Sequence, residues 1–327
     1  MPAPGKKSDR GRGRAARRGA RRLDVAILSR NRKLYSTRRL VEAARELGHR
    51  ATVLDTLRCD MVLARDLPRI LYRGEEVRPE DVHVVIPRIG ASITGYGLAV
   101  VNQLDLMGVP VLASATPIAR SRDKLRALQL LSRFGVDIPR TVMCRFRDEV
   151  PLALEQVGGL PCIVKLIRGT QGVGVMIATS QAELAGMLDT LWQLGQEILL
   201  QELVAESRGR DVRAFVVGDR VAAAMRRTAR SGEFRSNIHR GGAAEGVTLD
   251  REFAEAAVKA ARVIGLEVAG VDMLEARSGP KIMEVNSSPG FEGLERATGV
   301  DIARAYVAHA IDFGNVRRVV RTRGQLG

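Results

Sequence analysis

An α/β parallel-sheet domain followed by two lobes of α+β character is the architecture that the 327-residue sequence predicts. Two observations carry it. Over residues 23–115 short apolar runs alternate with helical periodicity, which builds β-α-β units around a parallel sheet. From Cys162 onward the pattern changes to strands joined by Gly-containing turns, which marks antiparallel pairing. No apolar stretch approaches the roughly 18 residues that a membrane span needs, so the expected protein is soluble and cytoplasmic.

The elements follow in order. "LDVAILS" (Leu23 to Ser29) reads as a buried strand, and a helical pattern runs from Ser36 to Leu47 and stops at Gly48. "ATVL" and "VHVVI" supply further strands, a helix spans about Gly97 to Met107, and "VPVLA" reads as the next strand. "RDKLRALQLLSRFG" places Leu125, Leu128, Leu131 and Phe134 on one helical face and opens a second lobe. "CIVKLI", a Gly-rich loop and "VMIA" follow, then a helix from Ser180 to Leu191 and the strand "EILLQ". In "DVRAFVVGDRVAAAM", Gly218-Asp219 between alternating apolar runs is a hairpin signal. A helix from Asp250 to Ile264 leads to the paired strands "VAGVDML" and "KIMEVN".

The formal charge of +15 points toward a polyanion, but it is unevenly spread. Residues 1–22 hold nine Lys or Arg against Asp9, and the segment after Asp312 holds four Arg and no acid, so the body between them keeps only +3. The run "GKKSDRGRGRAARRGARR" has no aliphatic side chain larger than Ala, and residues 1–22 are expected to be a disordered basic tail. Its lack of an apolar face argues against a targeting helix. Cys59, Cys144 and Cys162 are scattered and odd in number, which suits reduced core residues rather than disulfides or zinc.

The strongest chemical signal is Asp272 on one strand with Glu284 and Asn286 on the next. Strand alternation turns Glu284 and Asn286 to one face, and pairing can bring Asp272 beside them. Hard oxygen donors without His or Cys suit Mg²⁺ or Mn²⁺; a solvated edge-strand face is the alternative. The second signal is Gly169, Gly172 and Gly174 just after Lys165. Such glycines let backbone N–H groups approach phosphate oxygens while the lysine supplies charge, although a flexible hairpin would read the same. It is neither a Walker A loop nor a dinucleotide fingerprint, because no Gly-Lys-Ser/Thr follows and a strand comes next. Third, the loop from Arg226 to Gly242 is a basic surface loop or, beside such a site, places Arg235 and Asn237 to bind a γ-phosphate or a developing acyl phosphate.

Taken in order, "RDKLRALQLLSRFGVDIP", "VKLIRGTQGVGV", "LLQEL", "DVRAFVVGDRVAAAM", "FRSNIHRGGAA", "VAGVDML" and "MEVNSSPGFEG" resemble the RimK-like family of ATP-grasp glutamate ligases, which modify small-subunit ribosomal protein S-six. With "AILSRNRKLYS" and "VIPRIGASITGYG", the resemblance runs from about Val25 to Ile311. It implies an ATP-grasp fold: a preATP-grasp domain (23–117), a central lobe (118–201) and a C-terminal lobe (202–313) that clasp ATP, between basic tails at 1–22 and 314–327. It further implies that Lys124 and Lys165 touch ATP phosphates, that Glu202 and Leu203 contact adenine, and that Asp211 holds the ribose. Arg235, Ser236 and Asn237 would line the nucleotide pocket, and Asp272, Glu284 and Asn286 would bind two metal ions. Ala113 departs from the family, which tends to carry Asn there.

The implied reaction uses ATP and Mg²⁺ or Mn²⁺ to turn a carboxylate into an acyl phosphate, which glutamate's amine attacks. The implied acceptor is the C-terminus of a ribosomal protein, and the implied assembly a homo-oligomer, dimer or tetramer. Arg227 is a third catalytic candidate beside Arg235 and Asn237, and Arg88 and Arg227 are candidates for substrate carboxylates, because guanidinium binds carboxylate through two parallel bonds. Arg88 could equally cap a helix or join lobes. The basic tails suit ribosomal RNA. Two alternatives remain: an ATP-grasp ligase acting on a small-molecule cofactor or an amino-group carrier protein, and a non-enzymatic nucleotide sensor on the ribosome.

Overall fold

A computed structural model describes residues 22–65, 68–167, 174–230 and 242–324, the last five of these as backbone only. The segment expected as an N-terminal tail lies outside the described residues up to residue 21. No helix among the described residues is long and apolar enough to cross a membrane.

The first domain opens with β1 (Asp24–Leu28), α1 (Tyr35–Glu46) and β2 (Arg50–Leu54). A small antiparallel sheet follows, β3 (Cys59–Val62), β4 (Arg69–Tyr72) and β5 (Glu75–Glu76), then β6 (Val84–Pro87) and α2 (Thr94–Leu106). β1 pairs in parallel with β2 on one side and β6 on the other, as the β-α-β alternation predicts. The expected strand Val109 to Ala113 reduces to a single parallel bridge between Val85 and Val111. Pro110 has no N–H to extend the ladder, so pairing stops at two bonds, Val85 N to Pro110 O at 2.8 Å and Leu112 N to Val85 O at 2.9 Å.

The central region begins with α3 (Ala115–Arg122) and α4 (Lys124–Arg133). Asp123 separates these two helices and caps α4 by accepting from Arg126 N at 3.0 Å, which fixes Lys124 as the first helical residue. β7 (Thr141–Val142), α5 (Val150–Gln156), β8 (Cys162–Leu166), β9 (Val175–Ala178), α6 (Gln181–Gln193) and β10 (Ile198–Glu202) complete this lobe. Its antiparallel sheet has the order β7-β10-β8-β9.

The last lobe is a second antiparallel sheet, ordered β13-β12-β11-β14-β15. Its members are β11 (Arg210–Val217), β12 (Arg220–Thr228), β13 (Ala243–Gly246), β14 (Val268–Ala276) and β15 (Gly279–Asn286), with α7 (Arg251–Ile264) between β13 and β14. The hairpin predicted at Gly218-Asp219 joins β11 to β12. α8 (Glu292–Thr298) and α9 (Ile302–Gly324) close the chain. The segment expected as a basic tail from residue 314 instead continues α9 to Gly324. Packing explains why: the Arg317 guanidinium lies 5.2 Å from the centre of the Phe313 ring, and Arg318 donates to the carbonyls of Pro79 and Val82.

Three apolar cores result. One joins the first domain's helical face to α3, α4, α7 and one face of the last sheet, and a second joins the parallel sheet's other face to α1, α8 and α9. The central lobe keeps a core of its own around Val164, Leu188 and Leu200. Phe215 sits at the heart of the second core, fully buried, edge-on to Phe291 with ring centres 5.7 Å apart and 6.2 Å from Tyr306. Phe215→Ala removes these contacts and leaves a cavity, so urea unfolding should show a loss of about 3–5 kcal/mol.

Candidate active site

β14 and β15 form the floor of the site. In their register Asp272 stands directly opposite Glu284, and Gly270 opposite Asn286. The register slips by one between Asp272 and Met273, so Met283 is an extra residue in β15. This bulge resets the alternation. Ile282 and Val285 both enter the core, and Lys281, Glu284 and Asn286 are left on the opposite face. Without it, Glu284 would point into the core with Ile282.

A ladder of alternating charge crosses the sheet beside this floor. Arg213 on β11, the cross-strand partner of Asp272, donates to both of its oxygens at 2.6 Å. Arg227 on β12, the cross-strand partner of Asp211, binds that carboxylate at 2.5 and 2.7 Å and reaches Asp272 at 3.1 Å. Asp211, Arg227 and Asp272 are all buried, where an unpaired charge would be costly. Burial alone would raise the Asp272 carboxyl pKa, but the two guanidinium charges and their bonds hold it well below the ordinary carboxylate range. Glu284 behaves oppositely. Solvent reaches it from the cleft, yet the protein packed around it, with the Asp272 charge, pushes its pKa up against the pull of Arg213, Lys124 and Lys165.

The central lobe presents the lysines. Lys165, in β8, donates to Gln201 Oε1, and Gln201 Nε2 donates to the Thr141 hydroxyl at 2.7 Å, so a buried amide fixes the amine. Lys124 Nζ donates to Leu166 O at 3.2 Å. Burial and the nearby Lys124 charge bring the Lys165 pKa down to about 8 despite Glu284, and burial lowers that of Lys124. Gly174 stands at the end of the loop with φ +77°, where a Cβ would meet the Leu166 side chain at 2.5 Å. At the lobe junction Glu202 ends β10; it accepts from Arg140 N at 3.0 Å and from Lys281 Nζ at 2.9 Å, with Leu203 next in the chain. The peptide Ile282 N to Asp137 O, 2.8 Å, ties the lobes at the same point.

Among the residues singled out from sequence, Lys124, Lys165, Asp272, Glu284 and Asn286 therefore share one cleft, with Asp211 and Arg227 along its sheet and Glu202 and Leu203 at the junction. Arg88 lies at the edge, donating to Pro289 O at 2.8 Å and Ser36 Oγ at 3.0 Å, with its guanidinium 6.0 Å from the Phe291 ring centre. Gly169, Gly172, Arg235, Ser236 and Asn237 lie outside the described residues. Arg213, Gln201 and Lys281 were not anticipated. The signal for Arg213 was present in "DVR", because period-two alternation puts it on the same face as Asp211. Gln201 and Lys281 act across strand and lobe contacts that sequence spacing does not reveal.

The donor set suits a hard divalent cation. Two carboxylates and an amide supply oxygen, the Asn286 amide nitrogen is buried without a partner, and among the described residues no group of three or more His, Cys, Asp or Glu forms an all-protein cage. Such a site needs further oxygens of the kind that phosphates carry.

Two antiparallel sheets, one bearing Lys165 with Lys124 of α4 beside it and the other bearing paired carboxylates, are the arrangement of the ATP-grasp class of ATP-dependent ligases. Residues 23–118 match the RimK preATP-grasp domain and residues 121–310 the RimK-like ATP-grasp domain; the chain belongs to the RimK-like ATP-grasp family. A probable alpha-L-glutamate ligase of Rhodopirellula baltica is 51% identical over 308 residues, covering 92% of this chain and 76% of that protein. One of Pseudomonas paraeruginosa is 50% identical over 303 residues, 93% of this chain and 100% of that protein. Among solved structures, the ATP-grasp ligase PsnB complexed with minimal precursor superposes with a TM-score of 0.71 at 23% identity, over 89% of this chain and 99% of that one.

The Lys165 pKa sets a pH dependence. A phosphate held at Lys165 would bind the protonated amine, which the free protein already carries below about pH 8. Above that, protonation must accompany binding. ATP affinity measured by calorimetry should therefore stay level below pH 8 and fall above it by up to about tenfold per unit. Lys165→Arg should flatten this alkaline limb.

Proposed function

We propose that this ligase joins the amino group of glutamate to the C-terminal carboxylate of an acceptor protein, with small-subunit ribosomal protein S-six as the acceptor that the family resemblance suggests. The observation that carries the reading is the pairing of Asp272 with Glu284 on one wall, beside Asn286, with Lys124 and Lys165 on the other. The relatives at about 50% identity, each named a probable alpha-L-glutamate ligase, support the choice of glutamate.

A carboxylate resists amine attack because its leaving group would be oxide. ATP removes that obstacle. A carboxylate oxygen attacks the γ-phosphorus, the bond to the β-phosphate oxygen breaks, and ADP leaves. The amine nitrogen then attacks the acyl carbon, the carbon–oxygen bond to phosphate breaks, and amide, phosphate and one proton result. Positioning and charge neutralisation carry this kind of transfer. Lys124 and Lys165 orient the phosphates, and Asp272, Glu284 and Asn286 would hold Mg²⁺ or Mn²⁺, as two ions in the family's pattern, which would supply charge neutralisation. Gly169, Gly172, Gly174, Arg235, Ser236 and Asn237 complete the nucleotide pocket in this reading, with Glu202 and Leu203 at adenine and Asp211 toward the ribose. Arg227 acts through its grip on Asp211 and Asp272.

Glu284→Gln should cut ADP release in the presence of glutamate and acceptor by roughly 10²–10³-fold. Because burial already disfavours the charged form of Glu284, the variant should melt no lower than wild type, which separates lost chemistry from lost folding. Intact mass measurement of candidate acceptors, incubated with ATP, Mg²⁺ and each amino acid in turn, reads the reaction directly. A gain of one glutamyl residue at the acceptor's C-terminus is the expected result. A gain on a small molecule or at an internal side chain would move the assignment to another acceptor class, and ATP binding without ligation would overturn it.

A further inference from the structure

The carboxyl ends of the parallel strands carry a basic cavity that the ATP site does not use. It measures about 500 Å³ and is lined by Ser29, Arg30, Arg32, Thr52, Asp55, Tyr72 and Arg73, among others. Arg30, Arg32 and Arg73 are exposed, and no described carboxylate forms an ion pair with any of them. The one acid in the lining, Asp55, is engaged: it accepts from Leu57 N at 3.2 Å and pairs with Arg58 at 3.6 Å. Arg73 is the only described non-glycine residue with positive φ, at 54°, and Gly74 follows it at 87° in the two-residue turn between β4 and β5. Such a turn favours Asn, Asp or Gly at its first position, so an arginine there costs about 1 kcal/mol. Its guanidinium lies 5.6 Å from the centre of the Tyr72 ring.

The cavity is linked to the ligase cleft along the sheet edge. Pro289, three residues beyond Asn286, is held by Arg88, whose N–H donates to Leu28 O at the end of β1. Leu28 in turn pairs with Leu54 at the end of β2, beside Asp55. Three residues of chain, the Arg88 side chain with its bond, and two strand spacings give a path of at most roughly 30 Å, which about nine extended residues span.

We propose that this cavity binds the acidic end of the growing acceptor, through the side-chain carboxylates of glutamates added in earlier rounds. The proposal rests on the glutamate ligase reading. Addition at a C-terminus regenerates a C-terminal carboxylate, so every product is chemically a further substrate, and each round adds one negative charge upstream of the reacting group. Three arginines without an ion pair, within the reach of about nine residues, complement such a chain, and guanidinium is the side chain best suited to hold carboxylates.

The test compares three acceptor peptides that end in the same residue: one of three residues, and two of twelve residues with either Glu or Gln at the upstream positions. ADP release gives KM and kcat for the wild type, for the double variant Arg30→Gln/Arg32→Gln, and for Arg73→Asn, which suits the turn. The wild type should show a KM roughly tenfold lower for the Glu peptide than for the Gln peptide. Both variants should lose most of that preference and keep wild-type kcat on the short peptide. A preference that survives in the variants, or is missing from the wild type, overturns the proposal. So does unchanged peptide KM together with weakened retention of an RNA oligonucleotide, which would make the cavity a nucleic-acid contact. Anisotropy of a fluorescent oligoglutamate peptide tests the cavity without turnover: weaker binding to the variants supports the proposal even if the wild type ligates another amino acid, and equal binding sinks it even if glutamate ligation is sound.

Discussion

Placing Asp272 directly across from Glu284 in a sheet is the constraint to which the rest of the cleft responds. Like charges opposite one another on paired strands repel, and the interior around them weakens the screening that water would supply. The chain answers this asymmetrically. Asp272 receives two guanidinium groups and stays ionised, while Glu284 receives none directly and faces the lysines across the gap. A pair of carboxylates held apart in pKa in this way can remain folded without a cation and still offer both oxygens to one.

The layering of the cores explains how the two walls are held. The first domain and the last lobe share two cores, so the strand pair carrying Asp272 and Glu284 is built into a single large block. Lys165 belongs to the lobe with a separate core, while Lys124 stands on α4, which packs into the first shared core. Links between the walls gather at the junction, where Lys281 meets Glu202 and Ile282 meets Asp137. Under the proposed function, a nucleotide at this junction would touch both bodies where their backbones are already joined, with its phosphates toward Lys165 and Glu284.

How far the sequence revealed this differs by residue. The pairing of Asp272 with Glu284 beside Asn286 was legible because alternation turns Glu284 and Asn286 to one face, although the bulge at Met283, which turns Glu284 toward the cleft, leaves no mark in the spacing. β3 to β5 leave no periodic signal because their runs are short and interrupted by charge, and the strand expected at Val109 to Ala113 shrinks to a bridge because Pro110 lacks the N–H that a ladder needs. The C-terminal arginines read as a basic tail. Arg318 instead depends on carbonyls of Pro79 and Val82, more than 200 residues earlier, a contact that no local pattern encodes. Arg227 was singled out for its charge; its partners Asp211 and Asp272 became visible only in the register of β11 with β12 and β14.

That register also bears on how a cation would enter. Both oxygens of Asp272 are taken by Arg213 in the structure, so a metal can use this carboxylate only by displacing at least one charge-assisted bond. Leaving a guanidinium unpaired in a partly buried cleft would cost several kcal/mol. Phosphate oxygens are acceptors of the same geometry as the carboxylate they would replace. Nucleotide and cation therefore suit this cleft better together than either does alone, because the first offers the arginine a new partner as the second takes its old one.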